Sequence, residues 1–317
     1  MSEMYKYYPS TNEIDRWVDE LFALAAESPL GTEVIDPESY EWPQSKNLPY
    51  QYAARHHLGA AYIKFYNLVT EEPFYGFWQP AFNTPAPLLI HVPGYGAEMS
   101  AHPELVQEGY NVLHISPLGY CTPQGMNRRK TADETDPLAW PQLPETIISG
   151  GKKGYKQWFI DCINAINWAL KQTEVLDRRI SFFGTSQGGG AALILASMFR
   201  DQGARCAAAD VPFLTNYPLA NGRGAYEIVQ KALDNVFHSK DAWHALGFVD
   251  TLSHVDRLTM PILLTAGRLD EMCPPETVKS LYEKLKCTRS FTYIMNREHT
   301  YTPEFLHLCE SWFKMYA

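Results

Sequence analysis

The chain has 317 residues, 45% of them hydrophobic and 20% charged, which is the make-up of a globular protein with a sizeable core and room for one large or two average domains. Thirty-six acidic against 27 basic residues give a formal net charge of −9 without a long basic cluster, which argues against nucleic acid and anionic membrane as partners. The six cysteines lie far apart and form no CxxC pair, so buried reduced thiols are expected and neither a cofactor nor a metal site is. The N-terminus lacks the basic and apolar regions of a signal peptide, and no window approaches about 18 uninterrupted apolar residues. A soluble cytoplasmic protein is the expectation.

Ser10 and Glu13 stand at capping-box spacing, and Ile14, Trp17, Val18, Leu21, Phe22 and Ala25 then recur on one helical face. That stripe must be buried, against the body or a neighbouring subunit. Residues 28–58 are proline-punctuated and polar, and read as an extended irregular connection. Ala60–Val69 and Phe74–Phe82 alternate as two strands and predict an antiparallel edge. Leu88–Val92 is a continuous apolar strand ending in Pro93-Gly94-Tyr95-Gly96, followed by a short helix near Pro103–Gln107 and the strand Asn111–Ile115. Residues 117–151 show no period, and a loop of that length is expected to be functional or an oligomer contact.

Helical order resumes over Lys156–Lys171 through Trp158, Phe159, Ile163 and Ile166 and leads to the strand Arg179–Phe183. Cys206–Val211 is a further buried strand, with Asp210 at its carboxyl end, and an insertion of about 213–247 follows, helical over about 224–247. The strand Pro261–Ala266, helix Pro275–Lys286, strand Phe291–Ile294 and helix Pro303–Met315 close the chain. Strands alternating with helices predict a mostly parallel central sheet with helices on both faces. Residues 1–58 read as an N-terminal helix and connection, and 59–317 as the main domain. In such a sheet the chemistry belongs just after the strands.

Between the strand 179–183 and the helix-forming run Ala191–Ala196 stands Gly184-Thr185-Ser186-Gln187-Gly188, a G-x-S-x-G pentapeptide in the strand–turn–helix setting of a nucleophile elbow. A glycine-rich turn with a capping serine is the plainer reading. A phosphate loop is disfavoured, since neither of its glycine spacings is present. A serine hydroxyl is a weak nucleophile without an imidazole to take its proton and an acid to orient that imidazole. In the chain order Ser, Asp or Glu, His, the base is His299, a short loop beyond the last strand, and the acid is Asp270, after Gly267-Arg268-Leu269. Asp210 competes for the acid role, and strand order favours Asp270. An oxyanion needs two donors, and the backbone amides of Gln187 and Tyr95 are the candidates.

These segments resemble a known family. Gly184–Gly190 is similar to the GGSQGGG elbow of the acetyl xylan esterases and cephalosporin-C deacetylases, carbohydrate esterase family seven. Asp210-Val211-Pro212-Phe213-Leu214 resembles its DVPFL segment, and Asp270–Pro275 its D-x-x-C-P-P segment, whose aspartate is the triad acid. Gly94-Tyr95 falls where the family has its tyrosine amide donor. The resemblance covers most of residues 60–315 and implies an α/β-hydrolase fold with an N-terminal helical extension and a helical insertion. It implies a serine carboxylesterase acting on a small acetylated substrate, such as an acetyl ester of a sugar, and homo-oligomers, commonly hexamers. There are two departures: Leu118-Gly119-Tyr120 replaces the family's Arg-Gly-Gln, and His299-Thr300 replaces its His-Glu. A serine peptidase or acyl-aminoacyl hydrolase would use the same triad, and an inactive hydrolase-fold binding protein would tolerate the departures.

Overall fold

Apolar runs that alternate with helical segments are laid side by side in a computed structural model that describes residues 3–28, 30–35, 60–67, 73–95, 100–119, 121–122, 125–126, 154–235 and 239–317. The strands in chain order are β1 (Leu30–Ile35), β2 (Ala61–Asn67), β3 (Pro73–Gln79), β4 (Ala86–Val92), β5 (Asn111–Ser116), the two-residue strands β6 (Cys121–Thr122) and β7 (Gly125–Met126), β8 (Val175–Thr185), β9 (Ala204–Asp210), β10 (Ile262–Gly267) and β11 (Arg289–Ile294). Nine of them form one sheet in the order β1-β2-β3-β5-β4-β8-β9-β10-β11, while β6 and β7 pair separately. The first three strands and the β3–β5 pairing are antiparallel. From β5 to β11 every neighbouring pair is parallel. The chain leaves β4 for β5 on one side and returns to β8 on the other, so the topological switch point lies at the carboxyl ends of β4 and β8.

The helices are α1 (Thr11–Glu27), α2 (Pro103–Gln107), α3 (Tyr155–Ala169), α4 (Gln187–Met198), α5 (Tyr217–Ala220), α6 (Glu227–Asn235), α7 (Ser239–Gly247), α8 (Pro275–Lys284) and α9 (Pro303–Tyr316). Alternation along β8 divides the core: Ile180 and Phe182 face the layer that holds α1, α3 and α4, whereas Phe183 faces α2 and α9 through Leu105, Phe305 and Phe313. Every residue of α4 is buried, which explains why its sequence is apolar all round. No helix among the described residues is long and apolar enough to cross a membrane.

One expectation changes. Residues 30–35 lie in the stretch read as irregular, yet they pair with β2 from Leu30↔Asn67 to Ile35↔Tyr62 and so form the true edge of the sheet. The strand is poorly buried, so its sequence carries little pattern and its pairing is a tertiary effect. The stripe of α1 is buried against the body of the same chain: Trp17 packs edge-on to Phe159 with ring centroids 5.9 Å apart, and Phe22 to Phe199 at 5.1 Å. The helical insertion resolves into α6 and α7. Of the 117–151 loop, most lies outside the described residues.

Candidate active site

The turn from β8 to α4 brings two backbones into contact. A Cβ on Gly184 would lie 2.6 Å from the Val92 carbonyl oxygen, and one on Gly188 2.6 Å from that of Pro93, so neither position admits a side chain. Ser186 itself takes φ 58°, ψ −123°, a strained conformation for a non-glycine residue. It is held there because its N–H donates to the Asp210 carbonyl at 2.8 Å, while its own carbonyl accepts from Phe213 N at 2.9 Å. The neighbouring strands thus over-determine the serine.

The register aligns the carboxyl ends of β4, β8, β9, β10 and β11, with Val92 beside Gly184, Thr185 beside Asp210, Asp210 beside Thr265 and Gly267 beside Ile294. The loops that follow therefore meet above Ser186. His299 Nε2 lies 3.0 Å from Ser186 Oγ, and His299 Nδ1 lies 2.8 Å from Asp270 Oδ2. An ionised carboxylate only accepts, so Nδ1–H donates to Asp270 and the free lone pair on Nε2 accepts from the serine hydroxyl. Asp270 is 4% exposed, and its other oxygen accepts from the amides of Met272 and Cys273, both at 2.8 Å. Those bonds hold the carboxylate in one orientation. Burial, with Asp270 beside it, pushes the Cys273 thiol well up, so it remains protonated.

Asp210, the competing acid, does something else. It is fully buried in a two-pronged ion pair with Arg297, at 2.6 and 2.7 Å, and accepts from Thr265 Oγ1 at 2.6 Å. Arg297 also donates to the Thr300 carbonyl from Nε at 2.8 Å and Nη2 at 2.5 Å. The pair clamps the loop that carries His299. It holds Thr300, the residue that stands where the resembling family has glutamate, by its backbone. Sequence reasoning missed Arg297 because a loop arginine looks solvated until the fold brings Asp210, 87 residues away, beneath it. At the other departure, the buried Leu118 N–H donates to Asp161 Oδ2 at 2.9 Å.

Tyr95 follows β4 and lines, with Ser186 and His299, a cavity of about 220 Å³. Gly94 lies against the elbow, since a Cβ there would fall 3.7 Å from that of Ser186. Gln187 opens α4 directly after the serine, and its buried side chain accepts from Tyr155 Oη at 3.4 Å. All five sequence-predicted site residues therefore gather at the carboxyl ends of the strands.

The cavity wall also holds a group that the sequence did not bring out: His91 at the end of β4, His102 just before α2 and, behind them, His114 on β5. Their spacing matches no metal motif, and it is strand pairing that sets His91 beside His114. Burial pushes His102 and His114 down to about 3, and pushes His91 down as well, so all three rings are neutral near pH 7. Neutral imidazoles are the form that binds metal ions.

A parallel sheet with this switch point, an elbow serine and a Ser–His–Asp chain of hydrogen bonds defines the α/β-hydrolase class. Within it, the chain belongs to the acetyl xylan esterase family, whose model, described as acetyl xylan esterase (AXE1), matches residues 52–315. It is similar to the acetyl esterase Axe7A of Xylanibacter ruminicola, with 24% identity over 161 residues. That match takes in 50% of this chain but only 36% of the relative, so the chain spans about a third of that protein. Among solved structures, it resembles the acetyl xylan esterase from Paenibacillus sp. R4, with a TM-score of 0.74 and 21% identity over 99% of both chains. Acetyl xylan esterase 1 from Thermoanaerobacterium sp. JW/SL YS485 is similar at a TM-score of 0.73 and 17% identity, over 96% of this chain and 94% of that one.

Proposed function

We propose that the protein is a serine carboxylesterase that removes acetyl groups from sugars or related small alcohols. The observation that carries this reading is His299, bridging Ser186 at 3.0 Å and Asp270 at 2.8 Å. Ser186 Oγ attacks the acetyl carbonyl as its proton passes to His299 Nε2, and the negative charge forms on the carbonyl oxygen. The backbone amides of Gln187 and Tyr95 are the donors for that oxyanion. The tetrahedral intermediate collapses, the C–O bond to the alcohol breaks, and the leaving alkoxide takes the proton from His299. Water then attacks the acetyl-enzyme, giving its proton to Nε2, and acetate leaves as Ser186 is reprotonated. Asp270 stays ionised throughout, fixing the tautomer and stabilising the imidazolium.

The test is acetate release from p-nitrophenyl acetate, acetylated xylo-oligosaccharides and cephalosporin C, with peptide amides as the contrasting panel. Ser186→Ala is expected to lose at least about 10⁴-fold in kcat. A variant as active as the parent, or a preference for amides, would sink the proposal. The family resemblance also supports a homo-oligomer, and the widely spaced cysteines fit a reducing, cytoplasmic setting. Light scattering on the eluted protein checks the assembly, and a monomer would refute it.

A further inference from the structure

The three histidines beside the cavity come from separate elements and converge. His91 and His114 are register partners on adjacent parallel strands, so their side chains leave the sheet on the same side. The turn before α2 brings His102 over them, with ring centroids of His91 and His102 4.3 Å apart. One ring nitrogen from each residue lies within 4.8 Å of the others, the one such group among the described residues. His102 is 4% exposed and His114 fully buried, and Nε2 of each has no hydrogen-bond partner. Buried polar atoms left in that state are rare and call for an explanation.

A shared proton explains only part of it. His91 Nδ1 and His114 Nδ1 are 2.6 Å apart, so one proton between them satisfies one nitrogen on each ring and leaves His102 out. A cation with bonds of about 2.0–2.1 Å to nitrogen draws on all three rings at once. Phe183 packs on His91 and His102 at 4.7 and 5.0 Å, giving the group an apolar wall that limits hydration, and Ser100 Oγ stands 3.4 Å from His114 Nδ1 as a further polar neighbour.

We propose that His91, His102 and His114 form a binding site for a divalent first-row transition cation, best matched by Zn²⁺, in the wall of the cavity that contains Ser186. Imidazole nitrogens suit zinc, and three protein ligands leave one tetrahedral position for an oxygen of water or of a bound ester. His91 and His102 share the cavity with Ser186 and His299. The site does not depend on the ester chemistry, so Ser186→Ala binds the ion as tightly as the parent chain.

The test uses full-length protein stripped with a chelator and titrated with Co²⁺, then with Zn²⁺. One equivalent of cobalt with the intense visible absorption of a four-coordinate site, displaced by zinc, is expected. Each of His91→Gln, His102→Gln and His114→Gln weakens binding by more than about 100-fold, beyond the loss typical of a residue that merely supports a ligand. Absence of a tight equivalent in the parent protein overturns the proposal without any variant having to fold. So does a thiolate-to-cobalt band, which signals a cysteine ligand. Undiminished binding in the folded variants overturns it as well.

Discussion

Asp210 and Asp270 close neighbouring strand–loop units at the carboxyl ends of β9 and β10, yet their surroundings give them different tasks. Asp270 keeps one oxygen on two amides and turns the other to His299. Asp270→Asn preserves the volume but places an amide against Nδ1 and favours the wrong tautomer. It is expected to cut kcat by about 10⁴-fold with the fold intact, and steady-state kinetics with circular dichroism check both halves. Asp210 is committed to Arg297. Replacing Arg297 with Leu strands a carboxylate that is 0% exposed, and the expected loss is about 3–5 kcal/mol in urea denaturation. A loss below about 1 kcal/mol would mean that the clamp on the His299 loop is not structural. At this scale the sequence distinguished the two acids by chain order and by the resemblance of Asp270–Pro275 to the D-x-x-C-P-P segment. Arg297 and the three histidines escaped it because long-range pairing, not spacing, gives them their partners.

Among elements, the strand–turn–helix at Ser186 was the most legible part of the chain, because a close backbone crossing leaves a glycine signature that no packing variation can hide. Gly188→Ala tests that reading. The added methyl meets backbone oxygens of Val92 and Pro93, which cannot swing aside as a side chain would. Loss of soluble folded protein, or a clearly lowered melting temperature with lost activity, is expected; a variant indistinguishable from the parent would refute the close crossing. The N-terminal elements were less legible. Their helix announced itself by period and docks through its apolar stripe, whereas the segment before it is tied down by long-range bonds such as Tyr8 Oη to Asp250 Oδ2 at 2.6 Å. Asp250 is buried and also accepts from the amides of Asn216, Tyr217 and Leu252, so Tyr8→Phe removes one bond of four partners. The expected cost is about 1–3 kcal/mol, read from the urea midpoint.

For the molecule as a whole, burying neutral imidazoles makes the fold sensitive to acid. His254 lies fully buried between Ser197 Oγ at 2.8 Å and the Phe248 carbonyl at 2.9 Å, and burial holds its pKa down to about 4. His102 and His114 are held down to about 3 for the same reason. In the unfolded chain each titrates near about 6.5, so below that pH the unfolded state binds protons that the folded state refuses. Stability is therefore unaffected by these groups above about pH 7 and falls as pH drops from about 6.5 towards their folded values. Each contributes a slope of up to about 1.4 kcal/mol per pH unit. Asp250 acts in the opposite sense, because burial raises its pKa and the folded state takes its proton first, which softens the decline at the acid end. Urea denaturation in chelator at pH 7.5, 6 and 5 is expected to show a steepening loss of stability, and His254→Asn a slope shallower by about one proton. A flat profile between pH 7 and 5 would mean that water reaches these rings in the folded protein, contrary to their packing.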